Sequence, residues 1–245
     1  MPNHEQIYLN EAQQYELLIS REDYEGNILR TLQNLMSFDG LDVIDLGAGS
    51  GRLSCLLAPF AKSILAIDQS GAMLEVAAHK LEAQGYTNWR TVVSEHRKLH
   101  IPDRSADVVV AGWTLCYLAS SNVDLWQEKL QEAMDEIKRV LRPGGTVLIL
   151  ETLGTGHVQP TPPDFLVPYY ESLQQRYGFS HQWIRTDFQF KSVQEAERLT
   201  GFFFGSEFAD QVNRESGDIV PECTGIWYKH NFREDTVDST GGSKG

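Results

Sequence analysis

Cysteine is scarce in this chain: Cys55, Cys116 and Cys223 are the three among 245 residues. They are odd in number, far apart and set in apolar contexts. That excludes a disulfide framework and offers no metal-ligand spacing, so buried free thiols in a reducing compartment are expected, and no metal. Positive charge is also short, with 21 Lys and Arg against 34 Asp and Glu and a formal net charge of −13. The basic residues are scattered. An acidic field of this kind repels phosphate backbones and anionic lipid, so neither nucleic acid nor a membrane surface is expected as a partner. Long apolar runs are missing as well: the longest mostly apolar stretch, Val108–Ala119, is too short to span a bilayer. The opening MPNHEQIYLNE has no apolar core of the signal-peptide kind, and a soluble cytoplasmic protein is the expectation. Internal repeats are absent, and low complexity is confined to residues 233–245, expected to form a flexible polar tail.

What is present is ordinary globular composition, 41% hydrophobic and 22% charged. From residue 41 onward short β-rich runs alternate with helical patterns. VIDL (43–46) precedes Leu53, Leu56 and Leu57 at helical spacing, and SILAID (63–68) precedes a helix with Met73, Ala77 and Leu81 on one face. TVV (91–93) and the all-apolar VVVAG (108–112) follow. Leu130, Met134, Ile137 and Leu141 mark a long helix ending at RPGG, where Pro143-Gly144 suits a type II turn before TVLILE (146–151). Apolar runs without alternation, separated by helices, indicate a parallel sheet covered on both faces. IRTDFQF (184–190) and TGIWYKH (224–230) read as two further strands at the sheet edge, around a helix opened by a Ser192–Glu195 capping box. The expected fold is therefore α/β: a doubly wound, mostly parallel seven-stranded sheet with an antiparallel edge strand and helices on both faces. Residues 1–36 form an N-terminal helical cover and 37–232 the main domain, within which the proline- and aromatic-rich stretch 152–183 is expected to be a lid.

The densest chemistry lies in LDVIDLGAGSGRL (41–53). Glycines at 47, 49 and 51 allow φ > 0 and let a ligand approach the backbone, while the following helix offers unpaired N–H groups. A Walker loop is excluded because no GK[ST] follows. The dinucleotide fingerprint GxGxxG fits poorly, since Arg52 stands at its sixth position. Asp45, two residues before the first glycine, would repel a pyrophosphate but suits a ligand bearing positive charge. The loop favours a cationic adenosine-type ligand.

DLGAGSG after an apolar run resembles the first signature of the class I S-adenosylmethionine-dependent methyltransferases. AIDQS places Asp68 at the end of the second strand, SADVVVAGWTLCYL resembles the family's fourth-strand signature, and LRPGGTVLIL its fifth-strand lead-in. The resemblance covers roughly residues 35–151 well. It implies S-adenosylmethionine as cofactor, with Asp45, Gly47, Ala48, Gly49 and Gly51 around the amino-acid end of the methyl donor. It implies Asp68 on the ribose hydroxyls, Gln69 and Met73 flanking the adenosine, and Glu95-His96 framing the adenine amine. Ala111 and Trp113 of the fourth-strand signature wall the transfer site, and Tyr15, in an N-terminal segment of the kind that lies over the donor in related enzymes, contacts it. Departures are Ala106 where an aromatic is usual, Glu95 for the commoner Asp, and Cys116-Tyr117 in place of a frequent His pair.

A base is needed only if the acceptor must lose a proton. His157, in the loop after the fifth strand, is the candidate. Tyr8, Tyr15 and Tyr24 precede the first strand, and His181, Phe202–Phe204 and Trp227 read as structural. No NPPY-type run for amino groups on nucleic-acid bases is present. Phe165, Tyr169 and Tyr170 in the expected lid suggest a closed pocket for a small, partly apolar molecule. A protein or RNA methyltransferase acting with a partner, and a donor-binding protein without catalysis, stay open beside a small-molecule methyltransferase; oligomeric state is not written in the sequence.

Overall fold

A computed structural model describes residues 4–232; the tail expected at 233–245 lies outside them. The described chain opens with three helices, α1 (His4–Asn10), α2 (Ala12–Ile19) and α3 (Asn27–Leu35). Then β1 (Asp42–Leu46), α4 (Arg52–Leu57), β2 (Ser63–Asp68), α5 (Gly71–Ala83) and β3 (Trp89–Val93) alternate. β4 (Ala106–Gly112), α6 (Cys116–Ala119), α7 (Trp126–Val140) and the long β5 (Leu141–Thr155) continue the pattern. α8 (Val167–Gln175), β6 (Ser180–Arg185), β7 (Phe188–Gln189), α9 (Val193–Phe204), α10 (Ser206–Gln211), β8 (Ile219–Val220) and β9 (Glu222–Lys229) complete it.

The main sheet has seven strands in the order β3-β2-β1-β4-β5-β9-β6. β1 to β5 pair in parallel, and the one reversed strand lies toward the far edge, β9 running antiparallel to both β5 and the outermost β6. Successive residues of each inner strand feed opposite cores. Ile44, Val109 and Ile149 pack with α7 and α8, whereas Val43, Val108 and Leu148 pack with α3 and α4. This is why those strands carry no polar alternation. Local signals hold the helices in register: Ser70 Oγ accepts from Met73 N at the start of α5, and Ser192 Oγ from Glu195 N at the start of α9.

A third core sits apart, built from Ile7 and Leu18 of the first two helices, Phe188, Phe190 and Val220, and Leu199 and Phe203 of α9. Tyr8 O accepts from Ser70 Oγ, and Lys80 of α5 pairs with Glu16 at 2.7 Å, so this cap lies over the carboxyl ends of β1 and β2.

Two sequence expectations need correction. The run 184–190 is not one strand: β6 ends at Arg185, whose Nη2 turns onto Asp187 Oδ2 at 2.6 Å, and Phe188–Gln189 pair with β8 in a separate two-stranded sheet. The stretch 152–183 is not a free-standing lid. Its first residues prolong β5, and its helix α8 buries Tyr169, Tyr170 and Leu173 against the sheet. Tyr170 stacks on Trp227 with ring centroids 4.5 Å apart, and its hydroxyl donates to Thr152 O at 2.7 Å. Of the three aromatics expected in a pocket, Tyr169 and Tyr170 are used in packing and Phe165 is exposed.

Candidate functional site

β1 delivers Asp45 to the carboxyl end of the sheet, 1% exposed. Its Oδ2 accepts from both the backbone N (2.8 Å) and the Oγ (2.7 Å) of Ser54, tying the strand end to the first turn of α4. Burial, with Asp68 adding repulsion, raises its pKa to about 6. The chain then turns through Gly47, Gly49 and Gly51 with φ of +70°, +53° and +79°. A Cβ on Gly47 would lie 2.0 Å from Thr114 Oγ1, and one on Gly51 2.7 Å from Ala77 Cβ. The first glycine lets the end of β4 approach, and the last lets α5 pack on α4. Gly49 N donates to Asp68 Oδ2 at 2.9 Å, while Ser70 N donates to Oδ1 at 2.8 Å. Asp68 thus sets the loop and the start of α5 together, and each oxygen keeps a second lone pair.

Around this loop the structure gathers most of the residues singled out from sequence. Ala48, Met73 and Ala111 are buried beside it. His96 Nε2 meets Thr114 Oγ1 at 2.7 Å, and burial lowers its pKa, which keeps the ring neutral at neutral pH. Trp113 has φ of +49°, a region a bulky residue enters only under constraint. Its N–H donates to Leu150 O at 2.6 Å, and the Arg52 guanidinium lies 4.5 Å from its ring centroid. Tyr15 stands edge-on to Tyr8, whose hydroxyl meets that of Tyr117 at 2.6 Å; burial pushes the Tyr15 phenol well up.

Three expected residues are exposed. Gln69 is exposed, and Glu95 is exposed with its carboxylate 3.5 Å from Arg97. His157 is exposed too. Its carbonyl, rather than its ring, takes a hydrogen bond, from Cys223 Sγ, and the ring has no hydrogen-bond partner among the described residues. The cleft lined by Asp42, Ser63, Asn88 and Ser105 lies at the opposite ends of the strands, away from the glycine loop.

Sequence reading missed a set of buried ionic groups next to Trp113. Glu22 Oε2 pairs with Arg52 Nη1 at 2.7 Å, with side chains 5% and 15% exposed respectively. Glu222, 3% exposed, accepts from Thr152 Oγ1 at 2.7 Å. Glu151, wholly buried, accepts from Cys116 N and the Tyr169 hydroxyl, and burial raises its pKa to about 7.

Comparison with known proteins places the loop in a wider group. Residues 44–149 match the family model described as a methyltransferase domain. The chain is 26% identical to a demethylmenaquinone methyltransferase of Staphylococcus aureus, over 94% of this chain and 95% of that protein. It is 31% identical to a malonyl-[acyl-carrier protein] O-methyltransferase of Serratia marcescens over 50% of this chain, spanning only 42% of that relative's length. The crystal structure of the YcgJ protein of Bacillus subtilis superposes with a TM-score of 0.57 at 15% identity, covering 84% of this chain and 97% of that one; at such identity the likeness concerns the fold.

Proposed function

We propose that the chain, whose residues 44–149 match a methyltransferase domain, is a class I S-adenosylmethionine-dependent methyltransferase that transfers the methyl group of S-adenosylmethionine to a small, partly apolar molecule. The observation that carries this reading is the glycine loop knotted to Asp68: a backbone that tolerates no side chain at Gly47, with Gly49 N–H held on Asp68 Oδ2. The residues present fit that donor. The left-handed glycines and the start of α4 suit its amino-acid end, the free lone pairs of Asp68 its ribose hydroxyls, and neutral His96 with buried Met73 the adenine side. Asp45 anchors α4 through Oδ2, held by Ser54, and keeps Oδ1 to face the ammonium.

When bound, S-adenosylmethionine supplies an electrophilic methyl group on a sulfonium. The protein's part is to align and to exclude water. Trp113 forms a wall between donor and acceptor. α1 and α2, packed through Tyr8 and Tyr15 onto Tyr117 and Phe203, form the cover assigned to residues 1–36. No helix among the described residues is long and apolar enough to cross a membrane, and the acidic charge supports an enzyme acting on a small molecule rather than on nucleic acid. Calorimetry with S-adenosylmethionine, S-adenosylhomocysteine and NAD tests the reading. Binding of the first two is expected, and binding of NAD alone would reverse it.

A further inference from the structure

Buried polar atoms without partners are rare in folded proteins and call for an explanation each time. Here Glu22 Oε1, Arg52 Nη2 and Glu222 Oε2 are all buried and unpartnered, and Thr186 joins the segments that carry them, its carbonyl accepting from Asp23 N and its N–H donating to Glu222 O. Glu22 and Arg52 form an ion pair, and Glu22 and Arg52 are both close enough to shift the titration of Glu222. Thr186 N donates to Glu222 O at 3.0 Å, while the Thr186 hydroxyl, bonded to Thr224 Oγ1 at 2.6 Å, also acts on the Glu22 carboxylate, whose Oε1 has no hydrogen-bond partner. The cluster lies on the side of the glycine loop away from the adenosine contacts. Asp68 and His96 follow β2 and β3, whereas Thr152 and Glu222 sit on β5 and β9, beyond Trp113 after β4. A donor stretched from β3 to β1 leaves this side for the acceptor.

We infer that Glu22, Arg52 and Glu222 form the acceptor site, and that the acceptor is an amine methylated on nitrogen. The inference rests on the methyl-donor reading above. Its basis is charge balance. Two buried carboxylates face one guanidinium, so a single cationic ligand brings the cluster to neutrality, as buried charges require. An ammonium group has N–H donors for Glu22 Oε1 and Glu222 Oε2 together, and Arg52 Nη2 is left for an oxygen of the same ligand. Without such a ligand, burial and the charge of Glu22 push Glu222 toward its protonated form. The step then balances. Glu222 carboxylate takes one proton from the ammonium, and the freed nitrogen lone pair forms the N–C bond to the methyl group. The S–C bond breaks with its electron pair returning to sulfur, leaving S-adenosylhomocysteine and a methylated ammonium.

The test loads the full chain with S-adenosylhomocysteine and measures calorimetric binding of two pairs matched in shape: 2-phenylethylamine with 2-phenylethanol, and tryptamine with tryptophol. At least one amine is expected to bind about tenfold or more tightly than its alcohol, a difference of about 1.4 kcal/mol. Glu222→Gln and Glu22→Gln should each erase that preference while leaving affinity for S-adenosylhomocysteine within about threefold. Alcohols that equal the amines, or no binding by either pair, would overturn the inference while leaving the donor reading intact. A variant that keeps the preference overturns it too. So does a Glu222→Gln variant that loses S-adenosylhomocysteine about tenfold, which assigns the cluster to the donor's own ammonium. Failure of the wild type to bind S-adenosylhomocysteine takes down both readings. Should a variant not fold, the wild-type comparison decides alone.

Discussion

At Gly47 the backbone is held at φ +70° with the place of a Cβ taken up by Thr114 Oγ1, 2.0 Å away, so alanine there has to displace the end of β4 as well as bear a strained conformation. Gly47→Ala is expected to cost about 1–3 kcal/mol of stability from the backbone alone, measurable by urea unfolding, and to abolish donor binding in the fraction that folds. Asp68→Ala acts differently. It removes charge-assisted hydrogen bonds worth roughly 1.5–3 kcal/mol each, among them those from Gly49 N and Ser70 N, so affinity for S-adenosylhomocysteine should fall by at least about tenfold and Tm should fall with it while the chain still folds. Unchanged affinity would remove Asp68 from the ribose. His157 and Glu222 make the contrasting pair. An exposed imidazole with no oriented partner is a poor base, so His157→Ala should keep turnover within a few-fold, whereas Glu222→Gln should lose most of it. Asp45 and Asp68 were legible in the sequence because a carboxylate ending an apolar strand has few uses other than a site. Glu22 and Glu222 were not. They come from opposite ends of the chain, and only the fold makes them neighbours.

Among the elements, α8 carries the plainest lesson. Its proline-rich approach and tyrosines read as a lid, yet Leu166, Tyr169, Tyr170 and Leu173 follow the spacing of a single buried helical stripe. That spacing was visible in the sequence, but aromatic richness, which suits pocket and core alike, outweighed it. Tyr169→Ala should therefore cost about 3–5 kcal/mol in stability, as for other large buried aromatics, and lower the urea midpoint without a selective effect on the acceptor. The covering role proposed for α1 and α2 rests on Ile7 and Leu18, which they bury in the core with Phe188, Leu199 and Phe203, and on polar ties from Glu16 to Lys80 and from Tyr8 to Ser70 and Tyr117. Hydrogen exchange of residues 4–19 is expected to slow on binding S-adenosylhomocysteine while α7 stays unchanged; equal protection with and without it would deny them the cover.

For the whole molecule, buried carboxylates set the pH response. The folded pKa values of Asp45 and Glu151 stand at about 6 and about 7, above ordinary values of 3.8 and 4.5. The folded state therefore holds protons that the unfolded state has released. The stability this gives is complete below the unfolded values and is lost as pH rises through the folded ones. Glu136 and Glu195, held down by Arg139 and Arg21, work the opposite way and lose their contribution in acid. Tm should accordingly be highest near about pH 5 and decline toward about pH 8, and Glu151→Gln should flatten that decline in scanning calorimetry. The parallel half of the sheet was legible from its largely apolar runs, most of them followed by a helix, although β3 leads to β4 without one. The far side was harder, because pairing between β5 and β9 joins segments separated by all of α8, α9 and α10. That late pairing bears on how the protein is made. A ribosome releases β5 long before β9, and until residues 222–229 emerge β5 presents an apolar, unpaired flank to whatever else is nearby. Nascent chains halted before Glu222 would thus be the ones that need a chaperone, and they would lack the carboxylate on which the chemistry depends, so that solubility and activity are acquired in the same moment of synthesis.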